Sequence, residues 1–301
     1  MTWRAGSISE AVEHWSLVPD GIVSQTPSSR LLPVLHRGRP AMLKVPLVEE
    51  EAIGGRVLAA WDGIGAAAVF EVDERAIVLE RAVGGRDLAT LTRDGDDLGA
   101  VEILCRVMTT LHTAVAEPRA NDDPRRTLPA GLPTLARWFQ DLTRGDLATF
   151  RQLADPASAA FLTRAGELAS RLLAATTMSD TVVLHGDLHH LNVLEFVPGD
   201  WRAIDPKGIV GHRAFDASAL FSNPDATTAT DAASFRDRVD LVTRLTGLRR
   251  PLLLDWLIAR SALSAVWSLQ DGDHASADLV ITVGRLAEQA RLRVTGLPNR
   301  R

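Results

Sequence analysis

The sequence predicts an α+β protein of two lobes, a small β-rich one at the N-terminus and a larger, mainly helical one behind it. Three observations carry this reading. Short apolar runs bounded by turn residues fill the first 80 positions. From Asp87 onward apolar residues recur at helical spacing. A brief cluster of strand-like runs between Thr181 and Ile204 is all that interrupts the helices.

Taken in order, Ile8 to Leu17 is a short amphipathic stretch, followed by apolar segments at Gly21 to Val23, Leu31 to Leu35 and Ala41 to Val45. The polar cluster QTPSSR separates the first two, and His36 to Pro40 reads as a hairpin turn between the second and third. Glu49 to Trp61 has helical character with an acidic first turn, which suits the helix dipole. Ala66 to Val72 and Ala76 to Leu79 complete an expected sheet of five strands, with one helix inserted after the third. Helices are then expected at Leu98 to His112, Leu132 to Leu142, Ala157 to Ala175, Phe235 to Leu245, Pro251 to Leu269 and Ala275 to Val294. Glu117 to Pro133, rich in Pro, Arg and Asp, reads as a surface loop. The boundaries that follow are residues 1–80 for the β-rich lobe, 81–85 for a connector and 86–301 for the helical lobe.

Composition narrows the function. The chain has 301 residues, 46% hydrophobic and 24% charged, as in a globular protein with ample core. A formal charge of −5 argues against nucleic acid, which needs a basic patch, and does not oppose a cationic small molecule, although charge alone does not select one. The single cysteine, Cys105, excludes an internal disulfide and a cysteine-rich zinc site. The longest uncharged stretch, Ser261 to Gln270, is about half of what a membrane span needs. The N-terminus reaches Glu10 and Glu13 without an apolar core segment, so no signal peptide is expected and the protein reads as cytoplasmic.

The densest chemical signal is VVLHGDLHHLNVLEF followed by AIDPKG. Asn192 follows Asp187 by five residues, and Asp205 follows Asn192 by thirteen. This arrangement suits phosphoryl transfer, which needs a carboxylate to orient and deprotonate an attacking hydroxyl and hard oxygen ligands to hold Mg²⁺ on ATP phosphates. Asp187 fits the first role; Asn192 and Asp205 fit the second. A surface loop and a histidine-based metal site are the competing readings, although adjacent His189 and His190 cannot easily share one ion.

The upstream half favours phosphoryl transfer. Lys44 stands inside an apolar strand, where a charge is costly unless paired, and Glu51 lies seven residues later near a helix start. Glu50 is an alternative partner. The turn that would face phosphate lacks a glycine-rich motif; its Thr26, Ser28 and Ser29 offer hydroxyl and N–H groups instead. Only ten residues separate Asp205 from Phe215, which leaves no room for a peptide-docking activation segment, so a protein substrate is excluded in favour of a small-molecule acceptor.

TPSSRLLPV, PAMLKV, WDGIGAA, ERAVGGRDL, LHGDLHHLNVL and WRAIDPKGIVGHRAFDASALFSNP together resemble the aminoglycoside/hydroxyurea antibiotic resistance kinase family, and within it the streptomycin 6-phosphotransferases. The resemblance runs from about Thr26 to the C-terminal helices. It implies a bilobal protein-kinase-like fold and ATP- and Mg²⁺-dependent O-phosphorylation of a streptomycin-class aminocyclitol. Asp187 is then the catalytic base, Lys44 the phosphate ligand, Glu51 its orienter, and Asn192 and Asp205 the metal ligands. The backbone at Glu80, Arg81 and Ala82 would face adenine, and Asp216 would brace the catalytic loop or lie by the acceptor. His190 would shape the same loop or approach the acceptor. Asp271 and Asp273 are the candidates to meet guanidinium groups, with a solvated interhelical turn as the competing reading. Trp256 and Trp267 share a helical face and suit a core or a cation–π platform. Hydroxyurea is the alternative acceptor. A nucleotide-binding pseudokinase is less favoured, because all four of Lys44, Asp187, Asn192 and Asp205 are present.

Overall fold

The computed structural model describes residues 6–114 and 128–295. The β-rich part contains α1 (Ile8–His14), β1 (Val18–Pro19), β2 (Ser24–Gln25), β3 (Ser29–His36), β4 (Arg39–Pro46), α2 (Glu49–Trp61), β5 (Val69–Val72) and β6 (Ile77–Glu80). Its antiparallel sheet has six strands in the order β1-β3-β4-β6-β5, with β2 also on β3. The expected strand at Gly21 to Val23 is absent. Those residues are exposed, and two-residue strands on either side pair with β3 instead.

Alternation along β4 sets up the chemistry. Leu43 and Val45 bury against Leu32, Val34, Val78 and α1, so the intervening Lys44 points to the opposite face, where α2 lies. The α2 helix begins with three glutamates and ends at Asp62, whose φ of 51° breaks the helical path.

Next come α3 (Leu88–Arg93), α4 (Asp97–Ala114), the short turns α5 (Leu135–Trp138), α6 (Gln140–Thr143) and α7 (Leu147–Leu153), and α8 (Pro156–Ala175). The expected helix from Leu132 to Leu142 is thus two pieces joined at Phe139. Most of the expected loop at Glu117 to Pro133 lies outside the described residues. Helix starts follow local chemistry: Asp155 accepts hydrogen bonds from the N–H groups of Ala157 and Ser158, with Pro156 in the first turn.

Two small antiparallel ribbons carry the catalytic segments. β7 (Thr181–Leu184) pairs with β10 (Ile209–His212), and β8 (Val193–Val197) pairs with β9 (Asp200–Ala203). A 3-10 segment, Arg213–Ser222, then leads to α9 (Ala226–Thr230), α10 (Ala232–Thr246), α11 (Arg250–Gln270) and α12 (His274–Thr295). The α11 helix is long and apolar enough to cross a membrane by length and composition, but it packs between α8, α12 and the 3-10 segment. Burying each of Leu253, Leu254, Leu257 and Leu263 is worth roughly 1.5–3 kcal/mol. One continuous apolar core joins α2 to the helices behind it, so the cleft between sheet and helices rests on a shared floor.

Candidate active site

The site forms where the two halves meet. Lys44 Nζ from β4 pairs with Glu51 of α2 and also donates to Asp205 Oδ1 at 2.9 Å. Lys44 and Glu51 are 8% and 6% exposed, so each charge requires the other. Burial pushes the Glu51 carboxyl up, but the charges and hydrogen bonds of Lys44 and Lys207 outweigh it and hold the group below its ordinary value. Glu50, the alternative partner, is exposed. Asp205 adopts a φ of 57°, a turn that brings its half-exposed carboxylate into the cleft while Ile204 stays in ladder contact with Asn192.

Asp187 lies on the loop between β7 and β8, partly exposed. Arg260 of α11 donates to its Oδ1 at 2.9 Å, and His189 Nε2 stands 3.4 Å from its Oδ2. Burial raises this carboxyl, yet hydrogen bonding by His189 and the charges of His189 and Arg260 prevail and hold it far below the carboxylate range. The Asn192 amide nitrogen donates to the Asp187 carbonyl at 2.9 Å, which directs the side chain inward and leaves its Oδ1 without a hydrogen bond among the described residues. Asn192 Oδ1 and the Asp205 carboxylate are hard oxygen donors, few in number, as suits a Mg²⁺ that keeps waters and phosphate oxygens in its shell.

A buried frame fixes the loop. Asp216 accepts from the N–H of His185 at 2.9 Å, from the N–H of Gly186 at 2.7 Å, and pairs with His112 of α4 at 2.8 Å. His185 Nδ1 accepts from the Asp187 N–H, so Nε2 carries the proton and donates to the Ile204 carbonyl at 2.8 Å. His185 thereby ties the loop of Asp187 to the strand that leads to Asp205, and Trp61 stacks on its ring.

For several residues the structure bears on the two readings that the sequence offered. Asp216 is 1% exposed and braces the loop, so an acceptor contact is closed to it. His190 is fully buried, and neither ring nitrogen has a hydrogen-bond partner among the described residues. Burial first, then the nearby Arg238, push its pKa down to about 3, and the ring is closed to solvent. Asp271 ends α11, about 16 Å along the axis from Arg260 at 1.5 Å per residue. Asp273 accepts from the Ser276 N–H and starts α12. Neither aspartate is brought to the cluster around Asp187.

At the opposite end, the Thr26 hydroxyl is spent within its own turn, accepting from the Ser29 N–H at 3.0 Å and facing the Ser29 carbonyl. Ser29 is buried in β3, which leaves Ser28 as the half-buried member of the three. The connector is held on both sides. Glu80 accepts from Arg202 at 2.7 Å and Arg81 pairs with Asp20, while the Gly84 N–H donates to the Glu195 carbonyl at 3.1 Å. Among the described residues the Ala82 N–H makes no backbone hydrogen bond.

Three residues in contact with the site escaped the sequence reading. Arg260 lies 73 residues from the aspartate it holds. Lys207 donates to Glu51 Oε1 at 2.7 Å, a partnership that nothing local announces. His112 sits in an ordinary amphipathic helix. Beyond Arg260 the same face of α11 passes Ser264 to Trp267, whose Nε1 donates to Asp141 at 3.1 Å and whose ring meets Trp138 edge-on. Trp256 is core, packed against Phe139, Phe215 and His212.

The chain resembles known kinases in sequence and in fold. The chain is 40% identical over 266 residues to a streptomycin 3''-kinase of Klebsiella pneumoniae, covering 87% of this chain and 92% of that one. It is 31% identical over 288 residues to a streptomycin 6-kinase of Streptomyces glaucescens, covering 92% and 87%. A hydroxyurea phosphotransferase of Kitasatospora aureofaciens is 30% identical over 288 residues, covering 93% and 78%. Among solved structures, aminoglycoside phosphotransferase APH(4)-Ia in a ternary complex with ADP and hygromycin B superposes with a TM-score of 0.65 at 16% identity, covering 93% and 97%. An ethanolamine kinase of Plasmodium vivax gives 0.54 at 15% identity, covering 90% and 81%. The fold is therefore the bilobal, protein-kinase-like one. Residues 14–272 match the family model described as aminoglycoside/hydroxyurea antibiotic resistance kinase, and the chain belongs to that family.

Proposed function

We propose that the protein is an ATP- and Mg²⁺-dependent O-phosphotransferase that inactivates a streptomycin-class aminoglycoside by phosphorylating a hydroxyl. The observation that carries this is the convergence of Lys44, Glu51 and Asp205, drawn from 161 residues of chain, on one side of a cleft whose other side presents Asp187. The streptomycin kinases among its relatives support the acceptor class, and the neighbour that holds ADP and hygromycin B supports a nucleotide in the cleft.

In this reading Lys44 neutralises the inner phosphates while Glu51 keeps it aimed. Asn192 and Asp205 would hold Mg²⁺, which supplies neutralisation of phosphate charge when bound. The unpaired N–H of Ala82 would meet adenine at the connector. Asp187 orients the acceptor hydroxyl. As the new O–P bond forms, the bond to the β,γ-bridging oxygen breaks with its electron pair leaving on ADP, and the hydroxyl proton passes to Asp187.

The test is ADP release by the purified protein with Mg²⁺-ATP, run beside streptomycin, hydroxyurea and no acceptor. Stimulation by streptomycin alone, with a singly phosphorylated product, is expected. Stimulation by hydroxyurea alone would transfer the assignment to the other named activity of the family. The resemblance to 6-phosphotransferases and the 40% identity to a 3''-kinase predict different products, which ³¹P–¹H correlation NMR distinguishes.

A further inference from the structure

Lys207 has no task in the reaction as derived so far. Its backbone N–H donates to the His185 carbonyl at 2.7 Å, and its Cβ packs on Gly186, where an added Cβ would come within 3.0 Å of it. The root of the side chain therefore sits against the residue before Asp187. Its far end lies across the cleft on Glu51 Oε1, while the other oxygen of the same carboxylate accepts Lys44. The chain of methylenes spans from the catalytic loop to α2.

One carboxylate balances one ammonium, and Glu51 holds two. Lys44 borrows further balance from Asp205, but a metal on Asp205 would withdraw it. The cleft then carries one cation more than its carboxylates require, on a flexible four-carbon stem with three donors. Anchored beside Asp187, that ammonium has a reach of about 6 Å and already touches the carboxylate that holds Lys44. The loop that carries it is fixed: a Cβ on Gly54 would overlap the Pro206 carbonyl, and Gly208, at φ 61°, packs on Val57 and Ile53.

Resting on the phosphotransferase reading, we propose that Lys207 is a second phosphate-binding lysine, whose ammonium leaves Glu51 for the terminal phosphate of a nucleoside triphosphate while Lys44 keeps Glu51. It is then a catalytic residue that senses whether the transferable phosphate is present. Its return to Glu51 after transfer weakens the hold on the diphosphate product.

Calorimetric titration with Mg²⁺ and either AMP-PNP or ADP tests this on wild type, Lys207→Met and Lys207→Arg. The Met variant should lose on the order of tenfold or more in affinity for AMP-PNP and change little toward ADP, with Arg restoring part of the loss. Lys207→Gln serves the same comparison should the Met variant fail to fold. Equal weakening of both nucleotides, matching Glu51→Gln, would make Lys207 a prop for Glu51 and overturn the proposal. Failure of the wild type to bind either nucleotide would instead overturn the phosphotransferase reading beneath it.

Discussion

The two ends of the cleft are held by different means. At the sheet end, Lys44, Glu51, Lys207 and Asp205 neutralise one another in direct pairs, each close to a recognisable motif. At the helical end, Asp187 is held by Arg260, which belongs to the central core helix and arrives from far along the chain. The first arrangement is a charge balance waiting to be rewritten by an incoming polyanion. The second is a fixed orientation, with a side chain 14% exposed acting as the clamp. The charge-balanced cluster can thus be set by short motifs, whereas holding Asp187 requires the completed fold.

Four changes would break or sharpen this contrast. Asp187→Ala should lower turnover about a thousandfold while leaving nucleotide affinity within a few-fold, measured by steady-state kinetics and titration calorimetry. Comparable loss of nucleotide binding would show that the two ends are not separable. Arg260→Met should cost about a hundredfold in kcat/KM, because the carboxylate loses its orientation. It should also move the acid limb of the pH–rate profile to higher pH, since the guanidinium helps hold the Asp187 carboxyl down. An unmoved limb would remove Arg260 from the account of Asp187.

The third change concerns the scaffold behind both ends. His190 is buried neutral with its pKa pushed down to about 3, below the roughly 6.5 of an unfolded histidine. Between those values the unfolded chain binds the extra proton. The stability contribution is therefore complete above about pH 6.5 and declines as pH falls toward 3, by about 2 kcal/mol at pH 5. Urea unfolding of wild type and His190→Phe across pH 5 to 8 should show a flatter dependence in the variant. Equal slopes would mean that the buried imidazole is protonated in the folded protein. The smallest effect is expected from Asp273→Ala, a slight loss of stability through the lost helix cap and no change in kinetics. A raised KM for the acceptor would return Asp273 to the substrate site.

Legibility followed the same division. Lys44, Glu51, Asp187, Asn192 and Asp205 could be singled out because each stands at fixed spacing within a local segment, and the structure does pair Lys44 with Glu51 and Asp205, and Asn192 with the Asp187 carbonyl. Arg260 could not be, since α11 presents an almost unbroken apolar pattern and one arginine in it gives no hint of its target. His189 and His190 are neighbours in a loop without periodicity, so their opposite fates depend on packing that the sequence does not display. Gly21 to Val23 was misread because apolar character alone does not make a strand; the residues on either side of it hold the hydrogen bonds. Asp271 and Asp273 were named for their charge alone, and the structure sets them at the far end of α11 from Arg260 and at the start of α12.

The approach of Gly54 to Pro206 has a consequence for how this protein tolerates mutation. Backbone lies on backbone there, so any side chain at position 54 must part α2 from the segment bearing Asp205 and Lys207. A single codon therefore governs the lysine–glutamate pair and Asp205 together. A library selected for survival on antibiotic should recover glycine at position 54 almost without exception, although the residue donates no functional group to any ligand.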